Sequence, residues 1–481
     1  MHAWSAKVFS VAVLTAAVLT TSALTAANWP GFRGPNGSGV GETSALPLEF
    51  GPAKNVIWKT DLPAGKSSPV LTEAHIFLTG WTADSLLTLA LDRATGKSLW
   101  KSSTPRKRSE HLHNLNSAAS ATPATDGTNV YVFFGDLGLI SYGPDGKDRW
   151  RIPLGPFTNL HGMSASPIVV DDKVVLVCDQ DTESFVLAIE KDTGKVAWKT
   201  ARPEVVHGFS TPSVYVAPSG EKQIVVPGSY VLISYSAETG EKLWWVRGLT
   251  WQVKPAGIVA DGVIYATGWA PGAESAQRKF FPEFDEAAKE ADPNGDGKIS
   301  PEELPEKWKP TGSWRAIGLA RDGFLSPRDW SFYIARRGSR NATIAVRPGE
   351  ARGDLTESHV VWEYERVVPV VPTPVLYDGL LYVLKSGGIL TTIDPVTGKV
   401  GRVGRLEGAI DKYYASPVAA DGKVFFTSET GKIAVAKAGK DSKVLRVNDL
   451  GEPVYATPAI DDGRIYVRTE SGLYAFGADG N

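Results

Sequence analysis

Eight times the chain places a small or basic residue, then proline, then an apolar strand, at Pro69, Pro123, Pro167, Pro212, Pro255, Pro374, Pro417 and Pro458. The intervals are 54, 44, 45, 43, 119, 43 and 41 residues. A period of about 40 to 45 residues belongs to chains that repeat one small structural unit, so 481 residues read as one repeated architecture rather than several unrelated domains. The long interval exceeds the others by roughly 75 residues, which marks an insertion from about Ala273 to Arg340.

Each unit continues in the same way. After the proline comes a turn and a second β-rich run, as in Ala459 to Arg468, where Asp461-Asp462-Gly463 separates two apolar strands. A third strand follows eight times, at residues 86–91, 139–142, 186–189, 232–235, 343–346, 390–393, 433–436 and 473–476. Several of these lead into Asp-x-x-Thr-Gly-Lys or a close copy, at Asp92 to Lys97, Glu190 to Lys195 and Asp394 to Lys399. Asp bonds its own turn backbone and Gly takes the positive φ that reverses the chain. A fourth strand carries Trp100, Trp150, Trp198, Trp244 or Trp362, with Arg402 at one position that lacks the Trp. The last repeat ends after its third strand, whereas Val56 to Leu62, with Trp58, is a fourth-strand sequence with no repeat before it. Pairing the two ends closes a ring and removes two exposed sheet edges. The expected fold is all-β: an eight-bladed β-propeller whose N-terminal strand completes the last blade, with a small α-helical insertion.

Composition agrees with a globular, turn-rich chain: 42% hydrophobic, 22% charged, 49 Gly and 32 Pro. A formal charge of −2 without a long basic run argues against nucleic acid as a partner. Cys178 stands alone, so packing and ring closure must supply the stability. Lys7, the apolar stretch Val8 to Leu19, and the small residues Thr25-Ala26-Ala27 read as a cleaved export signal over residues 1–27. No cysteine near the cut offers a lipid attachment point and no arginine pair is present, so the expected product is a periplasmic or secreted protein without a membrane span.

The repeat seen in Ala90 to Trp100 and Ala188 to Trp198 resembles the tryptophan-docking motif of pyrroloquinoline-quinone-type (PQQ-like) propeller repeats. The resemblance covers nearly all of the chain after residue 27 outside the insertion, including the opening Trp29-Pro30-Gly31-Phe32-Arg33-Gly34-Pro35. That family includes quinoprotein alcohol dehydrogenases and assembly scaffolds of the BamB type, so the resemblance implies the fold and leaves the function open between an enzyme and a binding module. The dehydrogenases typically carry adjacent cysteines over the quinone and a Glu, Asn and Asp calcium set; this chain has Cys178 alone and no matching set at its blade starts.

Within the insertion, Asp292-Pro-Asn294-Gly-Asp296-Gly-Lys298-Ile299-Ser300-Pro-Glu-Glu303 matches the EF-hand calcium loop. Side-chain oxygens of Asp292, Asn294, Asp296, Ser300 and Glu303 and the Lys298 carbonyl form the expected Ca2+ ligand set, Gly297 allows the sharp turn, and Ile299 is placed to pair with a second loop. Phe281 to Ala291 reads as the entering helix, and Pro305 implies a short exit helix. A degenerate second copy runs through Asp322 to Asp329; Gly318 and Ala320 at its first and third positions offer no side-chain oxygen.

Residues just before each blade's proline belong near the channel mouth: Lys66, Asn114, Asn116, His161, His207, Trp251, Gln252, Lys254, Tyr413, Tyr414 and Tyr455. Of these, Lys66, His161, His207, Trp251, Gln252 and Tyr414 are the candidate binding residues, with Trp or Tyr as stacking surfaces and Lys or His pairing with carboxylates. His111 and His113 have metal-like spacing but lack an identifiable third ligand. No serine-histidine-aspartate triad motif, nucleotide-binding glycine loop or zinc-helix motif accompanies them, and no catalytic residue is assigned. The expected organisation is a leader over 1–27, propeller over 28–272 and 341–481, and an EF-hand-like pair over 273–340. The expected function is an exported calcium-binding module holding a protein, peptide or glycan on its propeller face, and the alternative is a PQQ-dependent dehydrogenase.

Overall fold

The computed structural model describes residues 29–309 and 322–478; the leader and Gly318 and Ala320 of the second loop lie outside them. Eight sheets follow one another, each built around four antiparallel strands that are consecutive in the chain except in blade five and the last. In that blade Ala459–Asp461, Arg464–Arg468 and Gly472–Gly477 are completed by Val56–Asp61, with Trp58 opposite Ala475 and Asp61 opposite Gly472. This is the closure expected from the unmatched ends. All eight anticipated third strands form, each within a residue of its expected position, from Ser85–Asp92 to Gly472–Gly477.

The middle strands are buried on both faces, as sheets stacked against neighbours on both sides must be: Val130–Phe134 and Gly138–Tyr142 are buried at every position. The outer strands alternate, as in Val400–Arg405. Tryptophan joins one blade to the next. The indole of Trp58 donates to the Arg93 carbonyl at 3.2 Å, Trp100 to Pro144 at 2.9 Å, Trp150 to Lys191 at 2.9 Å, Trp198 to Ala237 at 3.1 Å and Trp362 to Pro395 at 2.9 Å. Its ring lies on the glycine of the next blade's turn. A Cβ on Gly96 would stand 2.4 Å from Trp58, and one on Gly240 2.5 Å from Trp198, so glycine serves both the positive φ and the close approach. Arg402 fills the missing Trp position and bonds the carbonyls of Asp441 and Ser442 in the following blade at 2.5 and 2.7 Å.

Blade five departs from the pattern twice. Its third strand, Ala342–Val346, is reached only after the inserted segment, and the loop after it sends Gly353–Asp354 back as a parallel fifth strand on blade four. Sequence periodicity carried no signal for a two-residue strand. Trp244 therefore bonds Gln223 Oε1 in its own blade, at 2.8 Å, instead of a neighbouring turn.

The insertion has its own core of Ala287, Ala291, Ile299, Leu304, Trp308, Leu325, Trp330 and Tyr333. Helix α1 spans Phe284–Ala291, starting three residues later than the sequence reading, after an extended N-cap residue, Glu283. The exit from the first loop is only a 3-10 turn, Glu306–Trp308, after Pro305. Helix α2 spans Pro327–Gly338 and begins with a capping box in which Ser326 and Asp329 exchange hydrogen bonds.

Candidate binding site

The channel lining begins with the residue before each blade's proline. In seven blades it is a hydroxyl residue: Ser68, Thr122, Ser166, Thr211, Thr373, Ser416 and Thr457. Each hydroxyl accepts a backbone amide from the preceding blade: Ser68 N reaches Thr122, Thr122 N reaches Ser166, Ser166 N reaches Thr211, Thr373 N reaches Ser416, Ser416 N reaches Thr457 and Thr457 N returns to Ser68, all at 3.0 to 3.1 Å. Ala256 N completes the set with Thr373, at 2.9 Å. The Ser/Thr-Pro repeat was visible in the sequence, but this inner girdle was not inferred from it.

Blade five has Lys254 instead of a hydroxyl, and the girdle is interrupted there. A cavity of about 600 Å³ lies in the channel above the girdle, lined by Lys66, His113, His161, Lys254 and Lys412 together with Phe209, Tyr413, Tyr414 and Tyr455. None of its lining residues is Asp or Glu. Burial holds the Lys254 ammonium pKa down to about 8. Its Nζ reaches only the Gln252 carbonyl and Oε1, at 3.3 and 3.4 Å, and lies 5.6 Å from the centre of the Phe209 ring. The Gln252 amide nitrogen lies 3.2 Å from His161 Nε2, so one amide bridges amine and imidazole. Burial first, then Lys254 and His113, lowers the His161 pKa, and its Nδ1 is buried without a hydrogen-bond partner. Lys66 donates to the Leu115 carbonyl at 2.9 Å and lies 4.0 Å from the centre of the Tyr455 ring, which stacks on Tyr414.

At the other end, residues 29–41 bridge several blades across the channel. The inner strands run from the girdle toward Leu71, Thr125 and Ala419, and Trp29 to Gly41 bonds to all three. Arg33, fully buried, donates to the carbonyls of Gly37, Ser38, Thr373, Pro374 and Pro417 at 2.7 to 3.1 Å. Phe32 lines the cavity, and Asn36 exchanges hydrogen bonds with Val214 of blade four. The motif that opens the chain is thus a tie across the channel, a role its sequence alone did not disclose.

Of the six candidates from the sequence, Lys66, His161 and Tyr414 line the cavity and Gln252 stands behind His161. His207 and Trp251 do not line it. His207 Nδ1 pairs with Asp181 at 2.5 Å, its ring meets the edge of Trp251 at 5.1 Å, and Arg336 of α2 lies 4.5 Å over Trp251. The insertion thus lies over Trp251. His113 lies 5.0 Å from His161, ring to ring, while His111 is not among the lining residues. Lys412 was not among the sequence candidates, although His207, which was, stands at the same distance before its own hydroxyl residue.

In the insertion, Asp292 Oδ1 accepts the Gly295 and Asp296 amides and Oδ2 the Gly297 amide, at 2.9 to 3.1 Å. Asn294 Nδ2 donates to Glu303 Oε1 at 2.7 Å, and Ser300 N to Glu303 Oε2 at 2.9 Å. Ile299 and Leu325 exchange backbone hydrogen bonds at 3.0 and 2.9 Å, joining the two loops. Among the described residues no three His, Cys, Asp or Glu side chains converge as a metal-binding group.

A family model described as outer membrane protein assembly factor BamB matches residues 51–181 and 144–268. Residues 51–268 are thus similar to the BamB-type repeat, and the chain folds as an eight-bladed β-propeller. No curated protein sequence matches it. Among solved structures, BamB from Moraxella catarrhalis is similar at 10% identity and TM-score 0.54, over 88% of this chain and 99% of that one. The quinohemoprotein alcohol dehydrogenase of Comamonas testosteroni is similar at 13% identity and TM-score 0.56, over 96% and 82%. The quinohemoprotein alcohol dehydrogenase ADHIIG of Pseudomonas putida HK5 gives 14% and 0.55, over 95% and 81%. These likenesses extend to the fold, and the propeller is shared by an assembly factor and by dehydrogenases. No helix among the described residues is long and apolar enough to cross a membrane.

Proposed function

We propose that the protein is an exported binding module that takes an anionic, aromatic ligand into its channel mouth. The observation that carries this reading is the cavity wall: Lys66, Lys254, Lys412, His113 and His161 with no carboxylate among them, beside three tyrosines and Phe209. Lys412 stands 4.0 Å from Glu429 behind the wall, but the wall itself is cationic and partly dry, so it selects a ligand that brings negative charge, and ring faces select a planar one. A small acid, or the acidic and aromatic end of a peptide or glycan chain, meets both demands. Export through residues 1–27 is part of the proposal, tested by sequencing the N-terminus of the secreted product.

The quinone of the dehydrogenase relatives is the sharpest probe. The wall fits the carboxylates of PQQ but presents no carboxylate that could hold a cation beside the quinone or act as a base, so the residues favour a binding role over dehydrogenation. Titration of purified protein with PQQ, followed by absorbance and by dye-linked alcohol oxidation, separates the readings. Binding without turnover is expected; stoichiometric binding with alcohol oxidation overturns the module reading in favour of the enzyme.

The insertion is proposed to hold one Ca2+ through Asp292, Asn294, Asp296, the Lys298 carbonyl, Ser300 and Glu303, an all-oxygen set suited to a hard cation. The ion stiffens the insertion without supporting the ring, whose blades are joined independently of it. Chelation is expected to remove a low-temperature step and leave the main β-sheet melt in place; loss of the whole β signal overturns this.

A further inference from the structure

Lys254 differs in kind from every other residue at its ring position. Seven blades place there a hydroxyl that holds the neighbouring blade, and the eighth gives up that bond for a primary amine at the cavity wall. The amine has no carboxylate partner among the cavity residues, only the oxygens of one glutamine at long range. An amine held this way, in a pocket with further cations and ring faces, is arranged as a nucleophile, because desolvation favours its neutral form.

We propose that Lys254 captures a carbonyl-bearing acid as a reversible imine, with Lys66 and His113 placed for the ligand's carboxylate and Phe209 and the tyrosines for its ring. The inference rests on the reading of the channel as an anion-binding pocket and names the ligand class as aromatic 2-oxo acids. In the reaction the lone pair of neutral Nζ forms a bond to the carbonyl carbon, and the carbonyl π pair moves to oxygen and takes up a proton as Nζ gives one up, leaving a carbinolamine. The carbinolamine hydroxyl takes up a second proton from solvent and leaves as water, while the remaining nitrogen lone pair forms the C=N bond of a protonated imine. No oxidant or reductant is required.

The probe is phenylpyruvate, added to the mature protein with sodium cyanoborohydride, and the readout is intact mass and peptide mapping. The expected result is one adduct at Lys254, at least tenfold over any other lysine, with trapping faster as pH rises from 6 to 8. K254M and K254R, checked for native circular dichroism, are expected to lose the adduct. K254R is expected to keep phenylpyruvate binding by quenching of tryptophan fluorescence, since its charge remains. Adducts scattered over surface lysines, or undiminished in K254M, overturn the proposal. Fluorescence-detected binding to wild type without an adduct overturns imine formation and leaves the pocket reading standing. Neither binding nor adduct overturns both.

Discussion

Arg33, fully buried, and Lys254, partly buried, are both cations of the channel without a carboxylate partner, and they are treated in opposite ways. Arg33 has five carbonyl acceptors, which its fork of N–H groups can satisfy at once. Lys254 has two acceptors, both on Gln252 and both beyond 3.2 Å. Burial lowers both pKa values, to about 9 for Arg33 and about 8 for Lys254. The difference teaches that burial of a charge does not by itself mark a functional group; unmet hydrogen-bonding capacity beside open space does.

The comparison can be broken most forcefully at Arg33. Arg33→Met keeps much of the side-chain volume but leaves the carbonyls of Thr373, Pro374 and Pro417 without their donor, and is expected to cost about 3 kcal/mol or more in denaturant unfolding. A loss below about 1 kcal/mol would mean that Arg33 does not tie blades six and seven together. Gly240→Ala tests the interblade docking away from the channel. Its Cβ would meet the Trp198 ring at 2.5 Å from a backbone with φ +75°, for an expected loss of about 2 kcal/mol without change in ligand binding.

The smallest effect has the opposite sign. Lys254→Thr restores a hydroxyl to the girdle and removes a desolvated ammonium, so it is expected to stabilise by about 1 kcal/mol while abolishing anion binding. The pH dependence follows from the lowered pKa. Between about 8 and the usual lysine value of 10.5 the unfolded chain binds the proton that the folded chain has released, so wild-type stability rises with pH through that window. The advantage of the variant is therefore largest below pH 8 and shrinks as pH climbs toward 10.5. An advantage independent of pH would place its origin in the restored hydroxyl alone.

Legibility in the sequence followed the range of the interaction. The strands, the turns after them and the docking tryptophans repeat at a fixed period, and each repeat writes the same local chemistry, so eight copies reinforced one reading. The candidate site was only half legible. Lys66, His161 and Tyr414 precede their prolines by three, six and three residues and do meet in the cavity, but His207 and Trp251, chosen by the same rule, do not line it, and α2 lies over Trp251. Proximity to a proline places a residue near the mouth; it says nothing of what the insertion lays on top.

By itself the sequence determined the blade count, the missing and surplus fourth strands that close the ring, and the oxygen-rich loop of the insertion, since each is written in residues close together or periodically spaced. Which segment crosses the channel, which cations remain unmet and which mouth residues are hidden were decided only in three dimensions. Those properties depend on contacts between segments hundreds of residues apart, such as Arg33 with Pro417, and no local pattern encodes the space left between them.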